Sequence, residues 1–376
     1  MVGYVPTIDS ALLVAAAELG LFEKHGLTVR LSREVGWATI REKLVHEELD
    51  AVAAHASMAI SIYRGLGVAR RACLTGLMLG VNGSAITLSN DLWNLGARDA
   101  ASLGQVIKAA QGVRPCTFGV PLDLSSQNHN LRKWLRAGGI DPDKDVSLAC
   151  IPSVVMHESF QAGYLDGYCV AEPWNTMATR SKTGWVAAAT CDINPEHPEK
   201  ILLVLQEFAE KREEEHLRLI AALIEASQFC DIPENRPKLA RMLAKSRYFD
   251  VREDVLANSL VGPFDFRHSS RPVPGFVMYD SFKFGAPNRL VAKRIFDMVR
   301  SLSPAAAAGL HADVMGKVFR EDIFQRAARL VRPLPGLVSS NDEPEENPPL
   351  PREAGSEPNP FPHRPAIHKS LNAIAA

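Results

Sequence analysis

The chain has 376 residues, with 42 Lys and Arg against 43 Asp and Glu, a net charge of −1. That length predicts about two domains, and 46% hydrophobic with 23% charged residues is the composition of an ordinary globular protein. The charge balance excludes the positive excess of a nucleic-acid footprint. No apolar run approaches the ~18 residues of a membrane helix, and the first strand has no basic-then-apolar leader before it.

In chain order, residues 3–6 read as a strand and 10–19 as a helix stopped by Gly20. Residues 27–33 alternate with period two, a strand with one wet face. Helix 37–48, strand 50–54, helix 58–66 and strand 72–76 follow. The same grammar returns with strand 116–120, a polar turn over 123–130, helix 131–137, strand 146–151, helix 155–162 and strand 167–170. Strand and helix in alternation imply parallel sheets with helices on their faces. Two such units in tandem suggest two lobes with a cleft between them. Residues 187–192 read as a crossover strand back to the first lobe, and 201–331 as mostly helical, with helices at 213–229 and 237–244. From residue 333 onward roughly one residue in four or five is proline, with acidic and polar residues between. Such a segment buries too little apolar area to offset its ordering entropy and is expected to be disordered.

Known catalytic motifs are missing: no G-x-G-x-x-G after a strand, no P-loop, no H-E-x-x-H and no G-x-S-x-G. The cysteines at 73, 116, 150, 169, 191 and 230 form no C-x-x-C pair, so they read as reduced, buried thiols of a cytosolic protein, not as a zinc or redox motif. His55, His129, His157 and His197 are isolated in sequence and fit surface or capping roles. Glu47-Glu48 and the run 213–215 fit solvated helix faces. No catalytic residue, metal site or cofactor is expected, and the chain reads as a non-enzyme. What remains is the loops at the carboxyl ends of the strands, at 7–10, 34–39, 55–58, 82–85, 123–130 and 171–175. Ligands of open α/β sheets bind at such loops, where helix N-termini point N–H groups at them. Few charges and many neutral donors suit a small anion. Plain capping accounts for the same loops, since Ser10, Ser125 and Ser126 are good N-caps in their own right.

Longer stretches add a family resemblance. They are Gly3-Tyr4-Val5-Pro6 with Asp9-Ser10-Ala11, the run 17–27 (A-E-L-G-L-F-E-K-H-G-L), the run 33–43 (R-E-V-G-W-A-T-I-R-E-K), and 131–143 with Gly138-Gly139-Ile140-Asp141-Pro142. The most specific are Glu172-Pro173-Trp174-Asn175 and His197-Pro198-Glu199-Lys200. Over about 1–330 the chain resembles the nitrate/bicarbonate-binding (NrtA/NasS-like) solute-binding protein family, closest to its cytosolic nitrate sensors (NasS). The resemblance implies an α/β, two-lobed periplasmic-binding-protein-like fold of the type II, clamp kind, with helical C-terminal elements. Lobe I would be 1–88 plus 190–332, lobe II 89–189, and 333–376 a disordered Pro-rich tail.

Matched motif by motif, the resemblance implies five ligand contacts: the indole of Trp37, the polar residue Ser84 of N-G-x-A-I-T, the helix-opening Gln127, Ala171 before E-P-W, and the cation Lys200. Gln127 stands where the family usually has histidine, Ala171 where it usually has glycine, and Ser84 is shorter than the family's carboxamide. Gln127 can donate a hydrogen bond but cannot become a cation. If residue 171 needs a left-handed backbone, alanine there costs about 1 kcal/mol.

Nitrate is planar, monovalent and only accepts hydrogen bonds. No carboxylate falls among the matched positions, so nitrate or nitrite is preferred over bicarbonate, which would want an acceptor. Sulfate or phosphate would want more than one cation. The chain starts at its first strand, which matches a cytoplasmic sensor better than an exported component. Such sensors resemble half of a two-protein switch that regulates nitrate assimilation. The anion-free form holds a NasT-like RNA-binding antitermination regulator, and the anion releases it, which requires differential affinity for the two states. The alternatives are the substrate-binding component of a nitrate or bicarbonate ABC transporter, and an enzyme on the same fold, whose signature would be a His/Cys cluster in the cleft.

Overall fold

The structure, a computed structural model, describes residues 1–109 and 115–331; the tail expected over 333–376 lies outside the described residues. The strands of its two large sheets are β1 Val2–Tyr4, β2 Leu31–Arg33, β3 Ala51–His55, β4 Cys73–Met78, β5 Ser84–Ser89, β6 Cys116–Val120, β7 Val146–Cys150, β8 Gly167–Ala171, β9 Gly184–Ala189 and β10 Lys200–Leu205. They build two five-stranded sheets, ordered β2-β1-β3-β10-β4 and β9-β5-β8-β6-β7. The helices that matter to the site are α1 Ala11–Glu18, α2 Trp37–Val45, α3 Ala56–Arg64, α4 Ser126–Ala137, α5 Ser153–Gln161, α6 Trp174–Arg180, α7 Glu213–Asp231 and α8 Arg289–Leu302.

Neither sheet is wholly parallel. In the first, β10 runs antiparallel to both β3 and β4. In the second, β5 runs antiparallel to β8 and β9. Residues 201–205, expected to open a mostly helical region, lie instead in the central strand Lys200–Leu205. Its side chains explain why. Ile201, Leu203 and Leu205 enter one core with Trp37, Ile40 and Val52, while Leu202 and Val204 enter another with Leu12, Leu219 and Leu223. A strand buried on both faces reads as a continuous apolar run, which carries no periodicity to separate it from a buried helix. Burying each such side chain contributes about 1.5–3 kcal/mol relative to exposure. The helix α1 is covered in the same way, with Ala11 through Ala16 all at 0% exposure.

The expected limits of the lobes need one correction. Residues 84–88, assigned to the first lobe, lie in β5 of the second sheet, so the chain leaves the first sheet after Met78. Residues 187–192, expected as a crossover strand, are the end of edge strand β9 and a helical turn, Thr190–Ile193. The return to the first sheet is completed at Lys200. Gly83, at φ +91°, sits on the outward connection, where its backbone conformation suits glycine.

The two halves are tied by the E-P-W-N segment. The Ile8 amide donates to the Glu172 carbonyl (2.7 Å), the Glu172 amide to Gly83 (3.0 Å) and the Trp174 indole to Pro6 (3.1 Å). Asn175 accepts from Thr87 (2.9 Å) and donates to Val170 (2.7 Å), locking α6 onto the second sheet. Four of the six cysteines are buried as expected, but Cys150 is exposed, at the end of β7. None of the described helices is long and apolar enough to cross a membrane.

Candidate functional site

Sheet register brings the chemistry together. Lys200 opens β10 directly opposite His55, the last residue of β3. Asp9 lies in the turn after β1, and Trp37 opens α2. From the other sheet, Ser84 at the start of β5 is paired with Ala171 at the end of β8. Gln127 lies in the first turn of α4, whose N-cap Ser125 accepts from the Asn128 amide. Ser153 opens α5. The first turns of α2, α3, α4 and α5 therefore face one seam. The first-turn N–H groups of a helix have no intrahelical partner and give that end a partial positive charge; here the Ala56 amide opening α3 donates to the Glu199 carbonyl (3.2 Å).

The side chains form one network. The Lys200 ammonium lies 3.0 Å from Asp9 Oδ2 and 3.0 Å from Glu199 Oε2. It also stands 5.2 Å from the centre of the Trp37 ring, within cation–π range. The Trp37 indole donates to Ser153 Oγ at 3.3 Å, and its ring meets the His55 ring edge-on at 4.3 Å. Gln127 Nε2 donates to Ser84 Oγ (2.8 Å) and to Glu199 Oε2 (2.9 Å). His197 Nε2 lies 2.7 Å from Glu199 Oε1, and its Nδ1 lies 2.7 Å from the Asn194 carbonyl. Lys200, His55, Glu199 and Gln127 are each no more than 2% exposed.

Burial alone would pull the Lys200 ammonium down, but Asp9 and Glu199 outweigh it and hold it charged. Burial would likewise raise Glu199, yet Lys200 and His197 take it below the usual carboxylate range. Asp9 goes the other way: burial raises it, Lys200 only partly offsets that, and Glu199 adds to the rise. Of the two carboxylates on Lys200, Glu199 is thus the firmly ionised one. His55 is driven well below the ordinary imidazole range by burial and then by Lys200, so its ring is neutral. Both of its ring nitrogens, and the neighbouring Ser57 hydroxyl, are buried without a hydrogen-bond partner. Glu172 is buried too, which pushes its carboxyl up to about 7 despite a bond from the Thr176 amide.

The structure brings the five sequence-predicted residues to this seam, four through their side chains and Ala171 through its backbone register. Trp37 and Lys200 touch, Gln127 joins Ser84 to Glu199, and Ala171 is the register partner of Ser84. Ala171 is not among the positive-φ residues, so the strain weighed for alanine there does not arise. His129 turns away from Gln127 and lies 3.0 Å from Ser301, beside α8. The expectation of a site without a carboxylate is overturned, because Asp9 and Glu199 both sit on the ammonium. Asp9, Glu199 and His197 lie in motifs that carried the resemblance, so the signal was present. His55 is a different case: nothing in the local pattern distinguishes it from a capping histidine.

A pair of α/β halves whose polar side chains meet at the seam is the architecture of periplasmic-binding-protein-like folds. The chain belongs to the NMT1-like family, which matches residues 1–244. It is 34% identical over 265 residues to the nitrate import ATP-binding protein NrtC of Synechocystis, covering 70% of this chain and 39% of that one. It is 29% identical over 351 residues to the bicarbonate-binding protein CmpA of Synechococcus elongatus, covering 87% and 77%. The chain thus spans about two fifths of the first of these relatives and most of the second. Among solved structures it superposes on the periplasmic nitrate-binding protein NrtA of Synechocystis with a TM-score of 0.81 at 24% identity, over 88% of each chain. A more distant neighbour, at 13% identity and a TM-score of 0.54, is the desulfurization enzyme DSZB. The chain is therefore a member of the NMT1-like family, with a periplasmic-binding-protein-like fold.

Proposed function

We propose that this protein binds a small monovalent oxyanion, nitrate or bicarbonate, at the seam between its two sheets. The observation that carries the reading is the ammonium of Lys200, buried 5.2 Å from the Trp37 ring where four helix N-termini meet. A buried cation beside helix N-termini and neutral donors favours an anion. Lys200 is held between two carboxylates, so the anion must displace one of those contacts. Parting Gln127 from Glu199 separates the second sheet's helix from the first sheet's strand and opens that route. With Asp9 and Glu199 present as acceptors, bicarbonate, whose hydroxyl needs one, stands level with nitrate.

Calorimetric titration with nitrate, nitrite, bicarbonate and sulfate tests this. One-to-one binding of nitrate or bicarbonate, with none of sulfate, is expected; no heat from either would overturn the reading.

The finer reading is a cytoplasmic sensor whose anion-free form holds a NasT-like regulator. It is supported by a ligand site built from both sheets, since bound and free forms then differ in how the halves meet, and a partner can select one of them. The substrate-binding component of a transporter uses the same geometry. Capture of the regulator without nitrate, and its release with nitrate, supports the sensor; no capture in either condition favours the transporter. We read the chain as a binding protein and not an enzyme, because the relatives named above are binding and transport proteins.

A further inference from the structure

We propose that His55 contacts the anion and takes up a proton as it binds, so that the anion enters the site together with one hydrogen ion from solvent. This rests on the anion-binding reading above and goes beyond it, by naming a sixth contact and the charge that accompanies the ligand.

Lys200 supplies one cation, and the carboxyl groups of Asp9 and Glu199 both lie on it. The ammonium is thus already matched by carboxylate before any ligand arrives. A monovalent anion added there leaves a net negative charge out of water, which is costly unless a proton or a cation comes with it. Gln127, where the family resemblance expects histidine, cannot supply that charge. A side chain that can must be buried in the cluster, titratable and not already committed. His55 meets all three conditions: it is 2% exposed, its ring packs against Trp37, and neither of its ring nitrogens has a hydrogen-bond partner. Protonated, it offers one N–H to the anion and a second to an acceptor such as the Ser57 hydroxyl, which is also unpartnered.

The charged groups facing the ring are few. The paired strand β10 and the residue before it present Lys200 and Glu199. The turn after β1 contributes Asp9 through its pair with Lys200, and α2 offers the uncharged indole of Trp37. In the ligand-free form Lys200 opposes protonation of His55. An anion seated on Lys200 cancels that opposition, which couples the two events. Asp9 is the competing proton acceptor, but its carboxylate is committed to the ammonium, and protonating it would release Lys200.

The test is calorimetry on the full chain at pH 7. Sodium nitrate and sodium bicarbonate are titrated separately, each in two buffers of unlike ionisation heat, such as PIPES and imidazole. The difference in observed heat gives the protons taken up. We expect about one per anion bound, and an affinity that falls about tenfold per pH unit between pH 6.5 and 8. In His55→Gln the uptake and the pH dependence should both vanish, whereas a merely structural role would weaken binding and leave uptake unchanged. Binding with no proton uptake overturns the inference and leaves anion binding standing. Uptake that persists in His55→Gln overturns the assignment to His55 and points to another titratable group of the cluster. No binding of either anion at pH 6.5 overturns the anion-binding reading, and this inference with it.

Discussion

The carboxamide nitrogen of Gln127 stands 2.9 Å from Glu199, and this contact joins a helix of the second sheet to the strand of the first sheet that carries Lys200. The two residues are 72 positions apart in sequence. A neutral donor suits this place because it satisfies a buried carboxylate without adding charge. Gln127→Glu would set a second carboxylate against Glu199, and one of the two would have to take a proton. Anion affinity, read by calorimetry, should fall at least tenfold. A variant that binds like the parent would remove Gln127 from the site.

Lys200→Met keeps most of the side chain's bulk and removes its charge. Asp9 and Glu199 would then share a buried site without their cation, which costs about 3–5 kcal/mol when one partner of a buried pair is removed. The urea midpoint should drop accordingly and anion binding should disappear. A Met variant of unchanged stability would mean that the two carboxylates are not held by Lys200.

Glu172 gives the pH dependence a sign. Its carboxyl is raised from 4.5 to about 7 in the folded protein, chiefly by burial. Between those values the folded state holds more protons than the unfolded one, so this group's contribution to stability falls as pH rises through the window and levels off above about 7. At one pKa unit per 1.36 kcal/mol, the loss is at most about 3 kcal/mol. Glu172→Gln should therefore be more stable than the parent at pH 8, by about 1–3 kcal/mol, with little difference at pH 4.5. Thermal unfolding at both values checks this, and a stability gap independent of pH would contradict it.

Gly83 sits at φ +91° on the connection between the sheets, and a Cβ there would meet Ile8 Cγ2 at 3.3 Å and Asp9 Oδ1 at 3.4 Å. Gly83→Ala combines an unfavourable backbone conformation with a tight contact on a site carboxylate, a cost of about 1–3 kcal/mol. Anion affinity should weaken as Asp9 shifts. Unchanged unfolding and binding would show that the turn relaxes freely.

Much of the architecture was legible because strands and helices alternate with clear periods, and strand Cys116–Val120 lies where the pattern puts it. What escaped was the antiparallel strand in each sheet. Lys200–Leu205 is apolar on both faces, and Ser84–Ser89 mixes small polar and apolar residues, so neither announces its period. The start of α4 was also set too late, at residue 131, because its first turn is a run of Ser, Gln, Asn and His that reads as a loop; the helix opens at Ser126 and carries Gln127. The five site positions came from the family resemblance. Their meeting depends on register between distant strands, such as Lys200 opposite His55, which local pattern does not encode. The same pairing explains why His55 and the carboxylates around Lys200 were missed.

A crystal structure of the chain grown with nitrate or bicarbonate tests the central claim most directly. The account predicts the anion within hydrogen-bond distance of the Lys200 ammonium, in contact with the Trp37 indole, and with at least one of Asp9 and Glu199 moved off Lys200. An anion found away from the seam, with Lys200 still clasped by both carboxylates, would contradict it.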